Sequence, residues 1–303
     1  MKLPAQIQVL ERGWLSSNNI LFHDPAGAAL IDSGYQAHSA QTLQLVGYAI
    51  DGKPLARLIN THCHSDHIGG NAELARAFGC RISIPVGEAP AIAAWDDDAL
   101  MLAYTGQTAE RFSFHDTYSA GDTLQLGGLD WMAIAAPGHD MHALMLYSPE
   151  AKILISGDAL WENGFGLIFP ELFGQPGGFD ATRATLESIT RLDIETVIPG
   201  HGAPFHNPGK ALESSFQRLE AYQRDPTKLA RHALKAILSF ALMMKGRIAE
   251  AALPDYLAGI AFYGDVNGRF LRLPQAELTE YLIKDLGRSS ALTRRDGWLL
   301  AAG

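Results

Sequence analysis

The sequence predicts an α+β protein in which a sheet-rich part, residues 1–207, precedes a smaller and mainly helical part, residues 226–303. Two observations predict this division. Up to about Pro208, short apolar runs bounded by Gly, Asp, Asn or Pro alternate with amphipathic stretches, and longer helical patterns follow. Charge divides at the same place, because residues 226–303 hold 11 of the 24 Lys and Arg but only 7 of the 33 Asp and Glu.

The first part contains apolar runs of strand length and amphipathic runs of helix length. Ile, Leu, Val and Ala dominate the strand candidates, and turn-forming residues end most of them. The predicted strands are Asn19–Phe22, Ala28–Ile31, Leu58–Thr61, Arg81–Ile84, Thr123–Leu126, Asp130–Ala135, Ala143–Tyr147, Lys152–Ile155 and Thr196–Ile198. The predicted helices are His38–Tyr48, Gly70–Phe78 and Ala181–Arg191.

Helical periodicity continues in the second part. The run Lys210–Arg224 places its apolar residues on one face and ends at Asp225-Pro226, so residues 208–225 are predicted as a linker helix. The elements predicted after it are helices at Leu229–Met244 and Pro274–Leu286 and a hairpin of Ala291–Arg294 and Trp298–Ala301 around Asp296-Gly297. Helices followed by a hairpin predict a small helix-plus-wing domain over residues 226–303.

The composition is that of an ordinary globular protein. Of the 303 residues, 47% are hydrophobic and 19% are charged, which predicts a substantial core and argues against a disordered or fibrous chain. The net charge of −9 argues against general attraction to nucleic acid or anionic lipid. Only Cys63 and Cys80 are present, so a disulfide framework is excluded and a reducing cytoplasm is favoured.

No segment is predicted to enter or cross a membrane. The longest apolar run, Ala236–Met244, is too short to span a bilayer. The first residues, Met1–Gln6, lead to Glu11 and Arg12 without the apolar run of a signal peptide. We therefore expect a soluble cytoplasmic protein without a membrane partner, and no feature of the sequence specifies an oligomeric state.

Four candidate metal ligands, His62, His64, Asp66 and His67, lie within six consecutive residues. Imidazole nitrogen and carboxylate oxygen suit Zn²⁺, Fe or Mn²⁺. The segment follows a predicted strand, so His62 and His64 point to the same side, and the next turn brings Asp66 and His67 to a second position. One segment can therefore serve two metal ions, but it completes the ligand set of neither.

Three further candidate ligands each follow a predicted strand and sit in a glycine-containing turn. These turns are Pro137–His139, Ser156–Asp158 and Pro199–Gly202, which carry His139, Asp158 and His201. Glycine permits unusual backbone angles and a close approach to a ligand. If the strand ends converge on one rim, these side chains join the first cluster and bring the candidates to a full ligand set for two metal ions.

The motifs HxHxDH, Gly-His, Gly-Asp and Pro-Gly-His-Gly, in this order, resemble those of the metallo-β-lactamase-fold hydrolase superfamily. The resemblance implies a four-layer αββα sandwich with a shallow active-site groove at the sheet edges. It also implies two divalent metal ions, zinc with iron or manganese as alternatives. The implied ligands are His62, His64 and His139 for one ion, Asp66, His67 and His201 for the other, and Asp158 as a bridge. Asp32 resembles the family's Asp-x-Gly turn and is expected to hold a metal ligand in place.

Several nearby residues receive other interpretations. His142 lies three residues after His139, whereas family members often carry a second His four residues on, so we expect it to support the ligands or the fold without binding metal. The side chain of Cys63 is expected to face away from the flanking histidines and fill the core. The glycine- and aromatic-rich stretch after Asp158 predicts a substrate pocket wall or, alternatively, packing on the sandwich. The residues proposed for that wall are Trp161, Phe165 and Phe169.

The expected activity is hydrolysis of a small acyl ester, thioester or lactone. Two adjacent divalent ions lower the pKa of a bridging water and supply a hydroxide; Asp66 could orient this hydroxide or shuttle a proton. The resemblance disfavours β-lactam hydrolysis, because β-lactamases of this fold generally carry Cys or Ser where Asp158 stands.

Two alternatives remain. The helix-plus-wing pattern resembles the winged-helix-like domain appended to β-lactamase-like endoribonucleases, so an endoribonuclease or phosphodiesterase is the second hypothesis. Its nucleic-acid contacts would be Arg269, Arg272, Lys284, Arg288, Arg294 and Arg295. A solvated face or a lid beside the active site is the competing interpretation of these residues, and it ranks above nucleic-acid contact. A non-enzymatic winged-helix regulator ranks last because the ligand set is intact.

Overall fold

Two six-stranded β-sheets form the centre of the computed structural model, which describes residues 3–302. The first sheet contains, in spatial order, β1 (Ile7–Leu10), β2 (Asn19–Phe22), β3 (Ala28–Ile31), β4 (Leu55–Ile59), β5 (Arg81–Pro85) and β6 (Asp116–Tyr118). The second sheet contains β7 (Thr123–Leu126), β8 (Leu129–Ala135), β9 (Leu144–Ser148), β10 (Ile153–Gly157), β11 (Thr196–Pro199) and β12 (Phe205–His206), each beside its neighbour in sequence. Met1 and Lys2 lie outside the described residues. They belong to the segment in which the sequence predicts no signal peptide.

Helices connect and cover the strands. Those of the sheet-rich part are α1 (Ser39–Ile50), α2 (Ser65–Ile68), α3 (Asn71–Phe78), α4 (Ala89–Ala94), α5 (Leu102–Thr105), α6 (Phe169–Leu172) and α7 (Gly178–Thr190). The remaining helices are α8 (Pro208–Arg224), α9 (Pro226–Lys245), α10 (Leu253–Gly259), α11 (Ala261–Val266) and α12 (Gln275–Arg288). Within residues 3–302, no helix combines the length and apolar character that crossing a membrane requires.

A third, small sheet closes the C-terminal region. Its strands are β13 (Ile248–Ala249), β14 (Leu292–Arg295) and β15 (Trp298–Ala301), with β15 in the middle. The hairpin between β14 and β15 turns at Asp296 and Gly297, both of which have positive φ angles of 50° and 76°. This is the backbone that an Asp-Gly turn favours, and it explains why this hairpin was predictable from two residues.

Alternating side chains produce four layers. On β2, Ile20 and Phe22 face the second sheet, whereas Leu21 packs on the opposite side with residues of α1 and α3. On β10, Ile153 and Ile155 belong to the core between the sheets, whereas Leu154 packs with residues of α7, α8 and α9. Because successive strand residues point to opposite faces, each sheet is buried on both sides. The α+β prediction, with two facing sheets and a helical C-terminal region, is confirmed.

The carboxyl ends of several strands meet at one edge of this sandwich. The strands β3, β4 and β5 pair in parallel, as do β10 and β11 in the second sheet. Strands β8 and β9 pair antiparallel, so the loop between them turns at the same edge as the end of β10. A hydrogen bond of 2.9 Å from Leu144 N–H to the carbonyl of Thr61 joins the two sheets there.

The segment after β4 leaves the sheet earlier than its apolar pattern predicts. The predicted strand Leu58–Thr61 corresponds to β4, which ends at Ile59, because the N–H of Thr61 donates to Asp32 Oδ1 at 2.9 Å. The short helix α2 then carries Asp66 and His67. Gly69 follows it without a side chain because a Cβ there would lie 2.1 Å from the backbone nitrogen of Gln36.

Candidate metal centre

Seven side chains from four segments of the chain converge at the shared sheet edge. His62 and His64 follow β4, Asp66 and His67 lie on α2, and His139 lies between β8 and β9. Asp158 follows β10 and His201 follows β11, and the parallel pairing of these two strands brings the two residues together. All seven predicted metal ligands are therefore present at one place.

Three histidines form the first cluster. Ligating atoms of His62, His64 and His139 all lie within 4.8 Å of one another. His64 Nδ1 is 2.8 Å from His139 Nε2, a distance at which both nitrogens can bind one cation. The other ring nitrogen of each histidine contacts a different group. His62 Nδ1 lies 3.1 Å from Thr61 Oγ1, and His139 Nδ1 lies 2.6 Å from the carbonyl oxygen of Leu167. His64 Nε2 lies 3.6 Å from Asp140 Oδ2. These contacts fix the ring orientations, as outer partners do in metal sites.

A second cluster lies beside the first. Ligating atoms of Asp66, His67 and His201 are within 4.8 Å of one another, and His201 Nε2 is 3.1 Å from Asp66 Oδ2. Asp158 lies between the clusters, with Oδ2 at 3.4 Å from His139 Nε2 and Oδ1 at 3.4 Å from His67 Nε2. One carboxylate therefore faces both groups of ligands.

Asp32 holds the second cluster from behind. Its Oδ2 lies 2.8 Å from His67 Nδ1 and accepts a hydrogen bond from Thr61 Oγ1 at 2.8 Å, while Oδ1 accepts from the N–H of Thr61. The residue is 2% exposed and has a positive φ of 55°, a conformation that Asp tolerates better than most residues. Its placement matches the expectation that it positions a ligand.

The donor set fits divalent cations. Among residues 3–302, the Nε2 atoms of His62 and His67 are buried and make no hydrogen bond. Leaving such an atom unsatisfied costs about 1–3 kcal/mol. Both atoms lie in the groups of possible ligands, where a bound cation would satisfy them. Imidazole and carboxylate donors are those that zinc and similar ions prefer.

The electrostatics of His62, His64 and Asp158 favour metal binding. Burial lowers the pKa of His62 well below its usual value, and burial together with His139 lowers the pKa of His64 to about 4. Both rings are therefore neutral near pH 7, the form that binds metal. Burial alone would raise the pKa of Asp158, but the imidazoles of His201, His67 and His139 outweigh it and hold that pKa well below its usual range.

A cavity of about 460 Å³ opens over the two clusters. His64, Asp66, His139, Asp158 and His201 form its polar floor. Residues of helix α9 also line this cavity, so the C-terminal region contributes to its wall. The predicted pocket residues Trp161 and Phe169 line this cavity, whereas Phe165 is 4% exposed and packs in the core against Tyr222.

A family model described as the metallo-beta-lactamase superfamily matches residues 12–201, which include all seven converging side chains. The chain belongs to the metallo-beta-lactamase superfamily. This membership makes it a hydrolase of a superfamily that binds divalent metals, typically zinc.

Curated relatives within this superfamily share one description. The chain is 31% identical over 227 residues to a hydroxyacylglutathione hydrolase of Hyphomonas neptunium, covering 71% of this chain and 79% of that protein. It is 29% identical over 197 residues to a hydroxyacylglutathione hydrolase of Brucella ovis, covering 64% of this chain and 65% of that protein.

Solved structures confirm the superfamily fold. A beta-lactamase domain protein from Burkholderia ambifaria superposes with a TM-score of 0.58 at 20% identity, over 100% of this chain and 93% of that one. A metallo-beta-lactamase family protein from Thermus thermophilus gives a TM-score of 0.54 at 18% identity, over 98% and 99% of the two chains. At these identities the likeness establishes the fold alone.

The side chain of His142 lies outside the ligand cluster. The residue is exposed, and its imidazole packs against Gly87, where a Cβ would approach Nδ1 to 2.3 Å. Its backbone N–H donates to Asp140 Oδ1 at 2.6 Å. Asp140 is the residue that contacts His64, and the buried Glu88 hydrogen-bonds to it in turn. Support for the ligands therefore comes from Asp140 and Glu88, which sequence reasoning missed.

The loop between β1 and β2 is a second feature that the sequence did not reveal. Trp14 stacks on His201 with ring centroids 5.5 Å apart and an interplanar angle of 5°. Asn18 Nδ2 donates to the carbonyls of Pro199 and Gly202 at 2.9 and 2.7 Å, on either side of His201. This loop fixes a ligand that lies far away in the sequence, and no local motif marks it.

Replacement of Cys63 by Ala should leave the centre intact. The thiol is 1% exposed and belongs to the core cluster behind the first sheet, so it points away from the flanking histidines. We expect Cys63→Ala to cost about 1 kcal/mol of unfolding free energy through the lost packing. Metal content by plasma mass spectrometry should match wild type, and a fall by half or more would make Cys63 part of the metal site.

Replacement of Trp161 by Phe should weaken activity without abolishing it. The indole N–H donates to Asp158 Oδ1 at 3.3 Å, and the ring meets Trp14 edge to face at 5.3 Å. Phe keeps most of the ring contact but removes the donor, so we expect kcat/KM for a cleaved acyl ester or thioester to fall by up to about tenfold. Unchanged kinetics would show that this hydrogen bond does not position the carboxylate.

Proposed function

We propose that this protein is a two-metal hydrolase of small acyl esters, thioesters or lactones. One observation carries the proposal: two groups of buried ligands face the shared carboxylate of Asp158 beneath one cavity. His62, His64 and His139 would hold one ion, and Asp66, His67 and His201 the other. Two adjacent divalent ions, when bound, supply Lewis acidity and an activated water.

The chain's own residues would position the reacting groups. Asp66 lies at the cavity floor with Oδ2 at 3.1 Å from His201, so its carboxylate can orient a water or accept a proton there. Asp32, Asp140 and the carbonyl of Leu167 fix the rings of His67, His64 and His139. Preset ring orientations reduce the reorganisation that would otherwise accompany reaction.

The cavity and the relatives support this substrate class. Helix α9 and the segment around Leu100 give the cavity apolar walls, which suits an acyl group better than a polymeric chain. The curated relatives are named for hydrolysis of acylated glutathione, which is a thioester.

We retain the division into a catalytic part (1–207), a linker helix (208–225) and a C-terminal part (226–303), with α9 completing the cavity. A cytoplasmic location also belongs to the proposal, since both cysteines are free.

Nucleic-acid cleavage stays a prediction for which the C-terminal region offers little support. Two of the six basic residues considered for nucleic-acid contact lie next to acidic groups: Arg294 is 2.9 Å from Glu250, and Arg295 is 3.6 Å from Asp296. Helix α9 lines the cavity with apolar side chains, among them Ile237, Phe240 and Met243, which offer no positive charge to a phosphate backbone.

A substrate panel tests the proposal. Purified zinc-loaded protein is assayed with S-hexanoyl N-acetylcysteamine, γ-hexalactone, a β-lactam and a labelled single-stranded RNA. We expect hydrolysis of the thioester or the lactone that stops on addition of a chelator and returns with zinc. Cleavage of the RNA alone, with strong salt dependence, would contradict the proposal and support the endoribonuclease hypothesis.

A further inference from the structure

Arg218 brings a positive charge into the cavity above the candidate centre. Arg218 is the only Arg or Lys among the residues within 3–302 that line this cavity. It lies on α8, and its guanidinium packs against Gly164 in the loop after Asp158. A Cβ at Gly164 would lie 2.1 Å from Nη1 of Arg218, so the glycine leaves the space that the guanidinium occupies.

This guanidinium has no acidic partner in the part of the chain that the structure describes. Nearby basic residues differ: Arg224 pairs with Glu220 at 2.8 Å, and Lys235 pairs with Asp285 at 2.6 Å. A half-buried arginine without a carboxylate beside a cavity can bind an anion there, in a bidentate geometry.

His232 lines the cavity near Arg218 without adding charge. Burial, assisted by the charges of Arg218 and Lys235, lowers the pKa of His232 to about 4. Its imidazole is therefore neutral near pH 7, and Arg218 supplies the positive charge of this wall.

The same cavity has an apolar surface beside the arginine. Helix α9 contributes Ile237, Phe240 and Met243, and Leu100 and Met101 also line the cavity. These side chains suit a methylene chain, because burial of each CH₂ is worth about 0.8 kcal/mol.

We propose that the cavity binds an acyl group whose methylene chain lies against α9 and whose far end carries an anion, a carboxylate or a phosphate, held by Arg218. This inference rests on the proposed acyl hydrolysis and specifies its substrate. Glutathione itself fits this wall poorly, since one ammonium and two carboxylates would share a single arginine. The inferred specificity therefore lies in the acyl part of the substrate.

Matched thioesters of N-acetylcysteamine test the inference. The S-adipoyl and S-hexanoyl compounds have acyl chains of equal length, and only the first ends in a carboxylate. We expect wild-type protein to hydrolyse the adipoyl thioester with a KM about tenfold lower. In Arg218→Gln this preference should vanish, because KM for the adipoyl thioester rises to that for the hexanoyl thioester, and Arg218→Lys should restore part of it. A third thioester, whose acyl chain ends in a phosphate, tells the two anions apart. The anion that lowers KM more in the wild-type protein is the one that the site prefers.

Arg224→Gln serves as the matched control, because it removes the same charge from an exposed position on the same helix. It should keep the full preference, and melting curves establish that every variant is folded. Phe240→Ala should raise KM for both thioesters alike. Equal KM values for the two thioesters in wild type, or a preference retained in folded Arg218→Gln, would overturn the inference while leaving acyl hydrolysis intact.

Binding provides a readout that is independent of turnover. Calorimetry on chelator-treated protein compares monomethyl adipate, which is anionic, with methyl hexanoate, which is neutral. Tighter binding of monomethyl adipate by wild type but not by Arg218→Gln supports the anion site even if neither thioester is hydrolysed. In that case the proposed function fails and the binding site stands; equal binding of both ligands by wild type rejects the site.

Discussion

Replacement of Asp158 by Asn is expected to reduce kcat for hydrolysis of an acyl thioester by at least about a thousandfold. The Asp158 carboxylate faces His139 and His67 at 3.4 Å and His201 at 3.8 Å, so it lies between the two ligand clusters. Asn keeps the shape but removes the negative charge and one acceptor oxygen. Bound zinc per chain, measured by plasma mass spectrometry, should fall together with kcat.

A surface aspartate provides the control for this variant. Asp98 is exposed, so Asp98→Asn makes the same chemical change away from the site. It should leave metal content and kcat at wild-type values. Full activity in folded Asp158→Asn, with zinc still bound, would exclude a bridging role for this carboxylate.

Replacement of Asp32 by Asn is expected to lower metal affinity by about 10- to 100-fold. The carboxylate accepts hydrogen bonds from the backbone and side chain of Thr61 and contacts His67 at 2.8 Å. An amide cannot accept at both positions, so at least one buried donor loses its partner. We therefore also expect a loss of about 2–3 kcal/mol in unfolding free energy for the metal-free protein. Competition with a chromophoric chelator and urea unfolding measure the two effects.

Asp51→Asn is a close control for the backbone at this position. Asp51 also has a positive φ, 49°, but it is exposed at the end of α1. Asn tolerates this conformation as well as Asp does, so the control should change neither metal affinity nor stability appreciably. An equal loss in both variants would trace the effect to backbone strain and would remove Asp32 from the support of His67.

The candidate ligands were predictable because each belongs to a short motif at a strand end. A Gly-His or Gly-Asp turn after an apolar run marks the point where the chain leaves the sheet. The order and direction of the strands then place these turns close together. His139 and Asp158 therefore meet His62, and His201 meets Asp66 and His67, as the motif order indicates. Most strand positions were equally visible, but the strands Ile7–Leu10, Asp116–Tyr118 and Phe205–His206 were not predicted.

The partners of these ligands were harder to predict, because their positions depend on long-range packing. Trp14 reaches His201 only through the fold of the first loop, and Glu88 reaches Asp140 from the segment that follows β5. In the sequence, Arg218 occupies an ordinary polar position of an amphipathic helix. Only the structure shows that its guanidinium packs against the loop at Gly164. Among the aromatic residues after Asp158, the sequence could not separate Trp161 and Phe169, which line the cavity, from the buried Phe165.

We propose that acyl hydrolysis depends on two metal ions bound in these clusters. The most direct test is to titrate zinc into chelator-treated protein while following cleavage of S-hexanoyl N-acetylcysteamine. We expect no turnover without metal, and full activity when about two zinc ions are bound per chain. Turnover by the metal-free protein, or full activity reached and held with one ion per chain, would contradict the account.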